Sequence, residues 1–431
     1  MLASLGLQMQ GTALAWEVYE KTGSALALGL VSLARAFPVL LLALPAGQIV
    51  DLLDRRLILM FTQVGFALAS VLLCVASAMD VSVSWMYVLV GLTGCARVFN
   101  GPSRSSLLPQ IVRPESFHNA VTWNTGVFQC SAMLGPLAAG GMIWVTGWMG
   151  MGKDEAGVAH GVAWPVYGLA AASAMALMVG CWMVRPYPDL VARVREGEGR
   201  SLWGAVRPSV LLPGMLEGVR HVWREKTVLG AIALDMLAVL LGGATALMPV
   251  YARDILHVGP IGLGALRAAP FAGALVVALL LAHRRPFEHA GRALLMSVGG
   301  FGLCTIGFGL SEWFWVSLGL LVALGALDGV SVVIRHVLVS VRTPDHLRGR
   351  VGAVNSVFIE SSNELGGFES GVVARMFTPV FSVVSGGIGT IVVVVAIAWW
   401  LPELRRLGRL EAPKTEVDRS IEEAEGAQAA R

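Results

Sequence analysis

Residues 25–56 read ALALGLVSLARAFPVLLLALPAGQIVDLLDRR. From Ala25 to Val50 only Ser32, Arg35 and Gln48 interrupt the apolar run. A helix rises about 1.5 Å per residue, so roughly 20 such residues cross the hydrocarbon of a bilayer. The run then stops abruptly at Asp51, Asp54, Arg55 and Arg56. Arginines at one end of an apolar helix hold that end in the cytoplasm. The backbone of a crossing segment finds no water, so each apolar segment of this length is read as a helix.

The same reading extends over the whole chain. Spans are expected at 1–19, 25–50, 57–79, 82–101, 118–146, 162–184, 228–251, 261–283, 292–311, 313–338, 351–374 and 378–401. The expected fold is therefore all-α and integral to the membrane, with twelve helices. Met1–Tyr19 barely supplies a first span, so the true start of helix 1 is expected upstream. Polar residues dominate 185–227, read as a cytoplasmic linker, and 402–431, read as a disordered cytoplasmic tail. The two bundles expected on either side of the linker are 1–184 and 228–401.

Composition supports the same class. The chain is 55% hydrophobic and 14% charged, where soluble domains carry about 25% charged residues. A net charge of +3 is too small to suggest nucleic acid. Cys74, Cys95, Cys130, Cys181 and Cys304 all sit in apolar runs without CxxC spacing, as small core residues do. No G-x-x-x-x-G-K-[ST] sequence is present, and neither polar segment is long enough for a nucleotide-binding domain. The loops on the Arg55–Arg56 side, with the linker and tail, carry 24 Lys and Arg; the opposite loops carry four, Lys21, Lys153, Arg253 and Arg375. Both termini are then expected inside.

The halves also resemble one another. Arg35-Ala36-Phe37-Pro38 recurs as Arg267-Ala268-Ala269-Pro270, and Val18-Tyr19 as Val250-Tyr251, both at a shift of 232. Further on the shift is 231: Arg104 matches Arg335, Asn124 matches Asn355, and Leu134-Gly135 matches Leu365-Gly366. Such a duplication sets two six-helix bodies about an axis along the membrane normal, with a site between them near the midplane.

Three motifs carry a family resemblance. Gly47-Gln48-Ile49-Val50-Asp51-Leu52-Leu53-Asp54-Arg55-Arg56 resembles the G-x-x-x-D-x-x-G-R-[RK] loop of the major facilitator superfamily, with Asp54 in place of glycine. There Gly47 would permit close packing, Asp51 would pair with a cation or helix terminus, and the loop would latch one of two conformations. Arg97-Val98-Phe99-Asn100-Gly101 resembles the R-x-x-[Q/N]-G motif of helix 4. Gly126, Gly135-Pro136 and Gly140 resemble the glycine-proline signature of antiporter members, in which small residues pack helix 5 on a neighbour and Pro136 bends it. With Trp16-Glu17-Val18-Tyr19, Leu44-Pro45-Ala46-Gly47, Arg348-Gly349-Arg350-Val351 and Ser362-Asn363-Glu364-Leu365-Gly366, the chain most resembles the enterobactin-exporter-like branch, the transmembrane secretion effectors. The resemblance implies efflux of small organic molecules across a bacterial inner membrane, driven by proton antiport and needing no cofactor.

Ionisable groups inside spans are functional candidates by default. Asp235 and Asp328 are the expected proton carriers. Arg97 and Asp328, equivalent at a shift of 231, are expected to interact across the cavity. Asp328 and Arg335, seven residues apart, share a helix face and could neutralise each other. The symmetry of Arg35 and Arg267 points to a structural role. Glu17, Asn124, Asn355, Glu360, Asn363 and Glu364 are candidates for either cavity or packing. Histidines are scattered and no H-E-x-x-H or nucleophile–base pattern occurs, so an enzyme is not expected. The leading expectation is a monomeric, proton-coupled exporter of a small-molecule substrate such as a siderophore or drug, with the lipid bilayer and protons as its other partners. An importer or facilitator on the same fold, and a non-transporting receptor or scaffold, stay open.

Overall fold

The computed structural model describes residues 1–113, 116–150, 162–183, 217–283, 287–344 and 347–408. Among these there are twelve long helices and no strand. In the first half they are α1 (Leu2–Thr22), α2 (Ala25–Leu52), α3 (Arg55–Ala78), α4 (Val83–Ile111), α5 (Phe117–Trp148) and α6 (Trp164–Met183). In the second they are α7 (Lys226–Leu241), α8 (Gly259–Ala282), α9 (Ala290–Leu310), α10 (Phe314–Arg342), α11 (Arg348–Met376) and α12 (Pro379–Trp400). A short α13 (Pro402–Arg405) follows. Past Gly242–Gly243, α7 resumes as a 3-10 turn (Ala244–Leu247), a short helix (Met248–Val250) and a π turn (Tyr251–Ile255).

Nine of these segments, counting α7 with its continuation as one, are long and apolar enough to cross a bilayer on hydropathy alone. The other three, α1, α4 and α11, are just as long but more polar. They carry Glu17, Arg97, Arg104, Glu360 and Glu364. Polar side chains in a spanning helix belong on faces turned away from lipid, so the three weakest hydropathy signals mark helices that contribute to the polar interior, alongside charged residues on α2, α7, α8 and α10.

Local signals set the helix ends. Gly23 adopts a left-handed conformation (φ 58°) at the end of α1, and its N–H bonds the carbonyl of Tyr19 at 2.8 Å, a conformation that costs a residue with a Cβ more. Asp54 caps α3 by accepting from the N–H of Arg56 at 2.9 Å. The stretch expected to be a loop from Gly47 thus lies largely inside α2, and the connection is only Leu53–Asp54. The carboxylate of Asp51 and the surroundings of Gly47 lie outside the described residues. Arg56 donates from Nε to the carbonyl of Cys181 at 2.7 Å and also to that of Trp182. It thereby neutralises the C-terminal end of α6.

Three boundaries differ from expectation. The span expected to end at Gly101 continues through Pro102 and Pro109 to Ile111. Serine hydroxyls take up carbonyls around the first proline: Ser103 donates to Phe99 O at 2.7 Å and Ser105 to Pro102 O at 2.9 Å. The tail expected to be disordered from 402 instead opens with α13, whose Leu404 is buried, followed by buried Leu407. Both leucines join a core with Leu294, Val298 and Leu338. Most of the expected linker lies outside the described residues. Its last part is helical over 217–224 and packs Val222 against Val228, Val351 and Val354.

Packing repeats between the halves. In the first, α1 lies against α5 and α6, α2 against α4, and α3 against α4 and α6. In the second, α7 lies against α11 and α12, α8 against α10, and α9 against α10 and α12. Every pair recurs at the equivalent position. The halves meet through α2 with α11 and α5 with α8, two contacts that exchange under the same pseudo-two-fold. Both are glycine contacts. A Cβ on Gly371 would lie 2.7 Å from Gly29 Cα, one on Gly140 2.3 Å from Pro260 O, and one on Gly264 2.5 Å from Pro136 O. Such backbone approach replaces hydrophobic driving force between helices in lipid.

Candidate functional site

The glycine contacts lie in the parts of α2, α5, α8 and α11 next to the α1–α2 turn. At that end the halves are also joined by polar groups. The Tyr19 hydroxyl donates to Asp254, and Arg253 donates to Tyr19 O at 3.3 Å while its guanidinium lies 5.7 Å over the Tyr19 ring. Sequence reading missed this junction. Tyr19 was visible as a repeated position, but its repeat Tyr251 bonds Gly309 O within the second half, so the repetition gave no hint of a partner across the seam.

Two polar clusters occupy the interior. The first lies in the seam between the halves. Arg97 on α4 faces Glu364 on α11 at 3.8 Å; the Arg97 side chain is 48% exposed and that of Glu364 16%. A mid-helix arginine so exposed while reaching the opposite half marks a cleft that opens away from the α1–α2 turn, toward the arginine-rich end. Arg35 on α2 and Arg267 on α8 lie within electrostatic reach of each other and of Glu364. Arg267 donates to Gly11 O on α1 at 2.8 Å.

The second cluster is internal to the second half. Asp235 on α7 and Arg335 on α10 form an ion pair with side chains 8% and 4% exposed. Asp328, two turns along α10, lies within electrostatic reach of both, and His336 also acts on Asp235. The interaction expected between Arg97 and Asp328 is therefore replaced by two others: Arg97 with Glu364, and Asp328 beside Asp235 and Arg335. A shared repeat position relates two residues by rotation about the axis; it does not bring them into contact. Arg335 likewise turns to Asp235 rather than to Asp328 as its ion-pair partner.

The first half shows what the second has altered. Arg104, the equivalent of Arg335, donates to Ser4 Oγ at 3.1 Å and to Asn124 Oδ1 at 2.6 Å. Ser4 and Asp235 are themselves 231 apart, so one arginine position meets a hydroxyl in one half and a carboxylate in the other. The shift grows to 232 by Tyr19 and Tyr251, an added residue in the interval that contains the α7 interruption at Gly242–Gly243. Asn355, the repeat of Asn124, is buried with its Oδ1 unbonded among the described residues.

Other candidates have plainer surroundings. Glu17 accepts from Tyr167 at 2.9 Å and pairs with Lys21 at 3.2 Å, which also pairs with Asp80 at 2.9 Å. Asn363 donates to Ile359 O on its own helix at 2.8 Å. Glu360 is half-buried on the same helix and forms no ion pair among the described residues. On α5, Gly135 would place a Cβ 2.6 Å from Gln8 on α1, and Gly140 and Pro136 contact α8, whereas Gly126 meets nothing within 4 Å. Close packing on α5 thus excludes the first glycine of the motif.

Two repeated six-helix bundles around a charged seam define a class, the multi-pass membrane transporters. The chain belongs to the Major Facilitator Superfamily, whose family model matches residues 1–367. The multidrug efflux pump Tap of Mycobacterium tuberculosis is 27% identical over 455 aligned residues, covering 99% of this chain and 96% of Tap. The enterobactin exporter EntS of Escherichia coli is 23% identical over 418, covering 97% of this chain and 93% of EntS. Among solved structures, the nucleoside transporter NupG superposes with a TM-score of 0.66 at 13% identity over 93% of this chain and 98% of NupG. The inward-open xylose transporter XylE from E. coli gives 0.63 at 12%, over 93% and 95%. These likenesses show the fold. The branch read from the motifs agrees with the exporters among the relatives.

Proposed function

We propose that the protein is a proton-coupled exporter of small organic molecules in a bacterial inner membrane, acting as a monomer with both termini in the cytoplasm. The observation that carries this reading is the Asp235–Arg335–Asp328 cluster. Two carboxylates facing one guanidinium leave a negative charge uncompensated in a low-dielectric interior, and a proton can fill that place. The orientation rests on the excess of Lys and Arg around the end where α2 meets α3. With that end inside, the contacts among Tyr19, Asp254 and the seam glycines close the outer side, and the cleft at Arg97 opens inward. Release of substrate outward then requires those contacts to part while the opposite ends close, with proton entry at the second-half cluster drawing the cycle toward export.

The test is transport by the full chain in reconstituted vesicles with an imposed pH gradient, using fluorescent ethidium and fluorescein as probes. Probe movement against its own gradient, opposite in direction to the proton gradient and abolished when that gradient is collapsed, is expected. Movement in the same direction as protons would establish an importer instead. Movement indifferent to the gradient would establish a facilitator, and no movement of any probe would favour a receptor or scaffold.

A further inference from the structure

The seam cluster carries more cationic charge than the structure neutralises. Counted along their helices at about 1.5 Å per residue, Arg35, Arg97, Arg267 and Glu364 lie about 12–21 Å from the α1–α2 end. This is the middle of a hydrocarbon layer about 30 Å thick. The four side chains come from α2, α4, α8 and α11, two from each half, so the cluster is divided by the seam itself. Three guanidinium groups face one carboxylate there.

Their hydrogen-bonding capacity is also largely free. Each guanidinium has five N–H donors and no acceptor. Among the described residues Arg267 uses one on Gly11 O, and Arg35 uses none. Arg97 approaches Glu364 at 3.8 Å, an ion pair too long to be a hydrogen bond. Arg35 and Arg267 occupy repeated positions and converge on the same point of α1: Arg267 bonds Gly11 O, and the Arg35 Nη2 lies 3.6 Å from where a Gly11 side chain would begin. A purely structural arginine in lipid is surrounded by acceptors. Among the described residues Glu364 is the one carboxylate that acts on Arg35; Glu17, further out on α1, is already held by Tyr167 and Lys21.

We infer that this cluster is the substrate site and that it selects amphipathic organic anions, binding a carboxylate or sulfonate of the substrate between Arg35 and Arg267 while Glu364 holds Arg97 in reserve. The inference rests on the transporter reading above and adds the charge class of the cargo. Planar acidic groups match the fork geometry of a guanidinium. A substrate anion shared by Arg35 of one half and Arg267 of the other would also draw the halves together at the midplane, coupling occupancy to the rocking motion. Glu364 would act as an internal competitor, its charge partly offsetting those of the arginines when the site is empty.

Equilibrium binding to the full chain in detergent tests this without any proton gradient, with fluorescein as the anionic probe and ethidium as the cationic one. Fluorescein is expected to bind at least tenfold more tightly than ethidium. Arg35→Gln and Arg267→Gln should each weaken fluorescein at least tenfold, with Arg267→Lys recovering part of the loss. Glu364→Gln should tighten it severalfold. Arg97→Gln removes a half-exposed side chain that leaves the packing intact, so it reports even where the other variants fold poorly; it is expected to weaken fluorescein two- to fivefold. Ethidium bound as tightly as fluorescein, no fluorescein binding, or an unchanged affinity in Arg97→Gln and the other folded arginine variants would overturn the assignment. Proton-driven export of ethidium alone would remove the anion assignment and keep the exporter reading. Fluorescein binding with the predicted variant pattern, but no response to a pH gradient, would do the reverse.

Discussion

Gly140→Leu is expected to abolish transport while leaving each half of the molecule folded. A Cβ at position 140 would lie 2.3 Å from Pro260 O and 3.1 Å from its carbonyl carbon. The obstruction is backbone, so no flexible side-chain end can yield. Overpacking of an interior typically costs about 1–3 kcal/mol, and here it acts on the α5–α8 contact between the halves rather than within either one. Every 1.4 kcal/mol is about tenfold in the conformational equilibrium, so a cost in that range depletes the state closed at the α1–α2 end by one to two orders of magnitude. The neighbouring Gly141 meets nothing within 4 Å, which makes Gly141→Leu the matched control: equal bulk, one position away on the same helix, with transport retained. Vesicle transport and thermal unfolding of the two variants are to be compared. Equal loss in both, or loss of folding in Gly140→Leu alone, would show that the glycine serves the fold and not the conformational change.

Arg335→Ala is expected to be the most destabilising single change at a charged position. Asp235 and Asp328 would be left facing one another in a buried site without their counter-charge. Removing one partner of a buried ion pair costs about 3–5 kcal/mol, whereas removing both is often nearly neutral. The double variant Asp235→Ala/Arg335→Ala should therefore recover most of the thermal stability lost in the single one. It should not recover coupling: transport down a substrate gradient would persist, but a pH gradient would no longer drive it, a fall of at least tenfold in the driven rate. Full recovery of driven transport in the double variant would mean that the pair only braces α7 against α10.

Much of this arrangement was legible in the sequence because it is written in long-range regularities. The repeat at 231–232 and the one-sided arginines each draw on positions spread over the whole chain. Contacts were harder to read. The equivalence of Arg97 and Asp328 stated a symmetry relation correctly and a contact incorrectly, because rotation about each helix and depth along it decide which neighbour a side chain meets. Arg335 was placed on the right face of α10, but its partner comes from α7, and nothing in the spacing of Asp235 shows that. Symmetry suggested a structural role for Arg35 and Arg267; the substrate role inferred above rests instead on their convergence on Gly11 with few acceptors around them. Helix 4 was read short because Gly101-Pro102 is a stop signal in water, whereas in a membrane helix nearby serine hydroxyls can take up the carbonyls that proline frees.

The central claim is that two six-helix bodies rock about the α2–α11 and α5–α8 contacts. Distances between paired spin labels test it most directly, on a background with the five native cysteines replaced. Labels at Leu53 and Gly349 report the arginine-rich ends of α2 and α11, and labels at Thr22, at the end of α1 in the turn leading into α2, and at Phe377 report the opposite side; all four positions are exposed. On a pH step or addition of a transported compound, the first distance is predicted to shorten as the second lengthens. Single distances that stay fixed in both pairs under every condition that supports transport would contradict the account.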